Sequence, residues 1–161
     1  MPEVEERLRA LGHEVLDPGP PLSALVPAVR TGNLVYLSGH GARVDGEYQF
    51  LGKVGRDLDT ATARRSAEVT VLNLLGALRN EIGDLDRVTR VVKMLGMVNC
   101  TPDYTEQSQV INAASELLIA AFGEKGRHAR SAVGMASLPI NLSVEIELIV
   151  EVAPGLSLIH I

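Results

Sequence analysis

The sequence predicts an α+β fold: a two-layer sandwich, with a mixed sheet of five to six strands and two long helices on one face. Three observations predict it. Two segments repeat apolar residues at spacings of three and four, as a helix with one buried face does. Near the C-terminus, Val144, Ile146, Leu148, Val150 and Val152 alternate strictly with Ser143, Glu145, Glu147, Ile149 and Glu151, as a strand with one face in a core does. The order along the chain is hairpin, helix, strand, helix, strand, strand, which suits two packed layers.

Each element has its own signal. Glu3 to Leu11 reads as a short helix with Val4, Leu8 and Leu11 on one side. The run LDPGPPLS breaks the chain with three prolines and a glycine, so it is a loop. LVPAVR and NLVYLSG are extended runs joined by Thr31-Gly32-Asn33, a hairpin signal. Pro27 removes a ladder donor, which argues for an edge or a strand start. Asp45-Gly46 marks a turn inside the glycine-rich stretch that follows. The first long helix runs from about Leu58 to Ile82 on Val71, Leu74, Leu75, Leu78 and Ile82. Asp57 or Asp59 caps its start and Gly83 its end. DRVTRVVKMLGMVNC is valine-rich, as a buried strand is. The second long helix covers TPDYTEQSQVINAASELLIAAFG, with Pro102 near its start, Val110, Ala114, Leu117 and Leu118 inside, and Gly123 at its end. RSAVGMA and LSVEIELIVEV close the sheet. Helices on one face leave the other open, and Ile149 among the acids makes that face a candidate oligomer surface.

Composition narrows the function classes. A chain of 161 residues is one domain by default, taken here as 1–152 with a tail at 153–161. Apolar residues make up 46% but aromatics only 3%, with no tryptophan, so the core is aliphatic. The formal charge is −5 and the nearest thing to a basic run is Arg64-Arg65, which argues against a nucleic-acid partner. The single cysteine, Cys100, rules out a disulfide scaffold and favours a cytoplasmic chain. No run approaches the ~18 apolar residues of a membrane span, so no membrane partner is expected.

Most catalytic templates are absent: no G-x-S-x-G, P-loop, H-E-x-x-H or C-x-x-C occurs. His13, His40, His128 and His160 are scattered, so neither a metal nor another cofactor is expected. What stands out is Arg130 at the start of one strand-like run and Glu145 inside the next. Pattern alone leaves two readings open: two solvated charges on a sheet, or two halves of a site on adjacent strands. An arginine holds a carboxylate with two hydrogen bonds, and a nearby glutamate can orient water or move a proton. Together they suit a small substrate with a carboxylate beside a polar reacting carbon.

On these residues the chain resembles the RidA family (YjgF/YER057c/UK114), and most closely its longer subgroup. The matching stretches are GNLVYLSGHG, GKVGRDL, GDLDRVTRVVKMLGMVN, HARSAVGMASLP and VEIELIVEV, within residues 5–152. The resemblance implies a chorismate-mutase-like fold and a homotrimer with clefts between subunits. It also implies hydrolytic deamination of enamine and imine intermediates, of the 2-aminoacrylate/2-iminopropanoate type, to 2-keto acids and ammonia. In that reading Arg130 anchors the substrate carboxylate and Glu145 positions water. Backbone groups at Gly39 and Ala132 line the pocket, and Asn112 lies where a helix asparagine approaches it. Three positions depart from the family pattern: Ala132 replaces a cysteine, Leu25 falls where a pocket tyrosine is usual, and His40 replaces a glutamine. The alternative these departures suggest is a non-catalytic trimer that binds small carboxylates. A chorismate mutase would need more positive charge, for which Arg43, Arg56 and Arg127 are the candidates. The tail APGLSLIHI lies past the usual family end and reads as non-native.

Overall fold

The computed structural model describes residues 2–21 and 23–155. Its elements are α1 (Glu3–Ala10), β1 (Ala28–Thr31), β2 (Leu34–His40), β3 (Arg43–Val44), β4 (Glu47–Tyr48), α2 (Thr60–Ile82), β5 (Val88–Asn99), α3 (Gln107–Phe122), β6 (Ala129–Met135) and β7 (Val144–Val152). Five strands form one sheet in the order β1-β2-β7-β5-β6. β5 and β6 run parallel, joined by α3, and the other pairs are antiparallel. The α+β sandwich with a mixed sheet is therefore the observed architecture.

The helical repeat sets the core. Val71, Leu74, Leu75, Leu78 and Ile82 of α2 are all buried, as are Val110, Ala114, Leu117 and Leu118 of α3. They meet Val144, Ile146, Leu148, Val150 and Val152 from β7. Each large aliphatic side chain so buried contributes about 1.5–3 kcal/mol. Asp59 caps α2 by accepting from the Thr62 amide at 2.8 Å. Gly83 ends the helix at φ +89°, a conformation that favours glycine. The β1–β2 hairpin closes over Gly32-Asn33, with Thr31 opposite Leu34. Asp45 and Gly46 both take positive φ, +52° and +82°, as a two-residue turn of this kind requires.

Some sequence expectations shift. Leu11 follows α1 and is exposed rather than on the buried side. LVPAVR contributes a strand only from Ala28, because Pro27 sits just ahead of it. The second long helix starts at Gln107 and not near Pro102. Pro102 lies in a turn in which the Tyr104 amide donates to the Thr101 carbonyl. Ser143 does not join the acidic face: it precedes β7, is buried, and bonds Ser66 Oγ at 2.9 Å.

The face away from the helices carries Val29, Tyr36, Ile149 and Lys93 in one cross-strand row. Val133, Met97 and Glu145 make another. Val29, Tyr36 and Val133 are exposed, so this face has no cover among the described residues. On the helix side packing is tight. A Cβ at Gly76 of α2 would fall on the Leu16 backbone carbonyl. That backbone cannot rotate aside, so Gly76→Ala is expected to destabilise the protein by about 1–3 kcal/mol. The check is a lower midpoint in urea unfolding with an unchanged slope.

Candidate active site

A cavity of about 270 Å³ lies at one end of the sheet. β2 and β7 lose register between Leu37 and His40, and the resulting bulge turns Gly39 and His40 toward this cavity. Glu145 lines it from β7, and Leu25 and Pro27 from the loop before β1. Arg43 and Tyr48 reach it from the β3–β4 hairpin, and Asn73 from α2. Gly39 leaves room for the Glu145 carboxylate, which a Cβ at position 39 would displace.

Two titratable groups of the cavity, Glu145 and His40, are pushed in opposite directions. Burial raises the Glu145 pKa above the usual carboxylate value, and the neighbouring Glu147 adds to the rise. Burial lowers the His40 pKa, opposed by its hydrogen bond to the Ser38 carbonyl. That bond, 2.6 Å from Nδ1, is to a carbonyl acceptor, so Nδ1 carries the proton. His40 Nε2 is left as a lone-pair acceptor on a neutral ring. A carboxylate of raised basicity beside a neutral imidazole is an arrangement for taking a proton from water.

Arg130 belongs to a different surface. It pairs with Met94 on β5, a fully buried residue of the helix face. Its Nη1 donates to Asn112 Oδ1 at 2.8 Å and to Ser115 Oγ at 3.2 Å, both on α3. His128 backs this contact. Its Nδ1 donates to the Gly126 carbonyl at 2.6 Å, and burial first, then Arg130 and Arg90, lower its pKa. Its neutral Nε2 therefore accepts from Ser115 Oγ at 2.9 Å. Ser115 in turn offers its lone pairs to Arg130, so the Gly126–His128–Ser115 chain fixes one corner of the guanidinium.

One chain thus assembles Leu25, Gly39, His40 and Glu145 around the cavity, and Arg130 with Asn112 elsewhere. Ala132 follows Arg130 on β6 and packs against the core beside Gly96. The expectation of adjacent strands is corrected: β5 lies between β6 and β7. Arg130 faces the helices, whereas Glu145, flanked by the buried Val144 and Ile146, faces away. Sequence reasoning did not find Tyr48, Asn73 or Ser115, and it named Arg43 only among the arginines that could supply the positive charge of a chorismate mutase site. The one available signal was the Asp45-Gly46 turn, which folds Arg43 and Tyr48 side by side.

Fold and site together define a class: a small α+β protein with a carboxylate–histidine cavity and an arginine held on an edge strand of the same sheet. Residues 5–152 match the family described as "YjgF/chorismate mutase-like, putative endoribonuclease". TCP17 of Trypanosoma cruzi is 38% identical over 149 residues, spanning 92% of this chain and 93% of TCP17. Among solved structures, Atu1372 of Agrobacterium tumefaciens is 45% identical, with a TM-score of 0.86, over 93% of this chain and 92% of its own. A "putative endoribonuclease" from Shewanella oneidensis is 26% identical, with a TM-score of 0.89, over 92% and 99%. The chain belongs to the YjgF/RidA family.

Proposed function

We propose that this protein is an enamine/imine deaminase. Its substrates are 2-aminoacrylate and 2-iminopropanoate or close relatives, released as 2-keto acids and ammonia. The working form is a homotrimer whose sites are completed across subunit interfaces, in a cytosolic setting. The observation that carries the reading is Glu145, a carboxylate of raised pKa inside a small cavity beside neutral His40.

In the reaction the enamine first tautomerises to the imine. Glu145 accepts a proton from a water as its oxygen bonds to the imine carbon. The C=N bond becomes a C–N single bond in a carbinolamine. The protonated Glu145 returns that proton to nitrogen, which completes the neutral carbinolamine. Glu145 then takes the hydroxyl proton and passes it to nitrogen, so that the C–N bond breaks, the C=O bond forms and ammonia leaves with the carboxylate restored. His40 Nε2 accepts from the same water and helps to orient it. Tyr48 supplies this cavity with the phenol that Leu25 lacks.

The substrate carboxylate requires Arg130, which one chain holds on the other side of the sheet. The two sheet edges are β1 and β6, so a closed ring of copies sets the β6 edge of one beside the β1–β2 end of the next. The uncovered apolar face supports such packing. Domain limits of 1–152 accord with this reading, and Ala153 still pairs with Arg87 at the end of the sheet. Of the tail at 153–161, residues 156–161 lie outside the described residues. Among the described residues no helix is long and apolar enough to cross a membrane.

A ribonuclease reading, which the family's description carries, finds less support. The charge of −5 opposes phosphate contacts, and a strongly salt-dependent RNA affinity would be needed to favour it. The test of the deaminase reading is ammonia and pyruvate release from freshly generated 2-aminoacrylate. Acceleration over buffer is expected; no acceleration by the assembled protein contradicts the reading.

A further inference from the structure

The deaminase reading employs Glu145, His40 and Arg130 and leaves Arg43 idle, although Arg43 lines the same cavity. Its guanidinium is firmly held. Nη1 donates to the carbonyls of Pro18 at 2.9 Å and Pro20 at 3.1 Å. The group lies over the Tyr48 ring, 5.3 Å from its centroid. Gly19, at φ +75°, brings its backbone so close that a Cβ there would be 3.1 Å from Nη1.

What this arginine lacks is an anion. Among the described residues it has no carboxylate within ion-pair distance, Glu145 of the same cavity included. Its Nε is buried without an acceptor, and among the described residues its only hydrogen bonds are those of Nη1. Nε and Nη2 form the edge of the fork that takes a carboxylate with two parallel bonds. A fixed cation that lines a largely apolar cavity, with no acceptor on that edge among the described residues, is arranged for a negatively charged oxygen.

We propose that Arg43 is a specificity residue that binds a second, terminal carboxylate of the substrate, so that the preferred substrates are imines of dicarboxylic amino acids. The inference rests on the deaminase reading for the word substrate, and on Arg43 alone for the second charge. Arg130 of a neighbouring copy takes the carboxylate next to the reacting carbon. Arg43 takes the one at the far end, with Glu145 and its water between them. At about 270 Å³ the cavity is just under the roughly 300–1,000 Å³ of drug-sized sites, which suits an acid of a few carbons. Hydrolysis is balanced as before; the second carboxylate is a handle and takes no part in bond changes.

Binding of 2-keto acid products separates this proposal from the catalytic one. Calorimetry on the assembled protein compares 2-oxoglutarate, 2-oxobutyrate and 2-oxoglutaramate, the last carrying an uncharged amide at its far end. The wild type is expected to bind 2-oxoglutarate roughly tenfold or more tightly than either of the others. Arg43→Met is expected to reduce that preference to within about twofold to threefold, while Arg43→Lys keeps part of it. Arg130→Met is expected to weaken all three and leave their ratio intact. Equal wild-type binding of the three acids, no binding of any, a preference for the amide, or a preference that survives Arg43→Met overturns the proposal. Because the first comparison uses only the wild type, it stands whether or not the variants fold. Turnover of 2-aminoacrylate, measured alongside, reports on the deaminase reading separately: the binding preference can fail with turnover intact, and turnover can fail with the preference intact.

Discussion

Arg130→Ala is expected to lower kcat/KM for imine hydrolysis by about 10²–10³, mostly as a rise in KM. The size follows from losing a charge-assisted, two-bond grip on the substrate carboxylate, in which each hydrogen bond to a charged group is worth about 1.5–3 kcal/mol. Little of the loss should come from unfolding. Arg130 is only part-buried on an edge strand, and the Ser115–His128–Gly126 chain it leaves behind stays hydrogen-bonded to itself. Steady-state kinetics with a melting curve checks both points. A lysine at 130 keeps the charge but not the fork, so it should recover only part of the loss. If instead Arg130→Ala left KM unaltered, the anchor role would be wrong.

Glu145→Gln is expected to act the opposite way on activity and stability. Without the base, kcat should fall by about 10²–10⁴, the usual span for general acid–base help, with KM far less affected. Stability near neutral pH should rise. The native pKa of Glu145 is raised by burial and by Glu147, so the folded protein binds this proton more tightly than the unfolded chain. The favourable contribution is complete below the unfolded value of about 4.3. It is lost as the pH climbs through the raised native value, above which the ionised group is a cost. Glutamine removes that cost. The Tm difference between variant and wild type should therefore be positive at neutral pH and vanish around pH 4. For the same reason wild-type activity should rise with pH through a range above that of ordinary carboxylates. An activity loss accompanied by a lower Tm at neutral pH would mean that Glu145 is structural.

The helices and the last strand were legible because their burial is local in sequence: a period of three to four, or of two, states which side chains share a face. The turns around Thr31-Gly32-Asn33 and Asp45-Gly46 were legible for the same reason. Strand order was not. β7 inserts between β2 and β5, and β6 sits outside β5, a choice made by long-range pairing. With the order went the faces, so Arg130 and Glu145 could be named from the family's motif but not placed. The Arg43 subsite was hidden for a different reason. Its ligands are the main-chain carbonyls of Pro18 and Pro20, and a carbonyl is supplied by every residue type. The cavity's loop side offers a similar case. Asn99, buried at the end of β5, donates to Asn141 Oδ1 and to the Leu142 carbonyl. It steadies a turn in which Ile140 and Asn141 both take positive φ, a strained conformation for a β-branched residue. A composition or a period contains none of this.

The central claim is that a complete site needs Glu145 from one copy and Arg130 from another. It is tested most directly by mixing the two inactive variants. Arg130→Ala and Glu145→Gln proteins are unfolded together in equal amounts, refolded into mixed trimers, and assayed for imine hydrolysis. With sites built across interfaces, random assembly pairs an intact Arg130 with an intact Glu145 at about one site in four, so about a quarter of wild-type activity should return. Mixed trimers as inactive as either parent would contradict the account, since a site contained in one chain carries a defect in every copy.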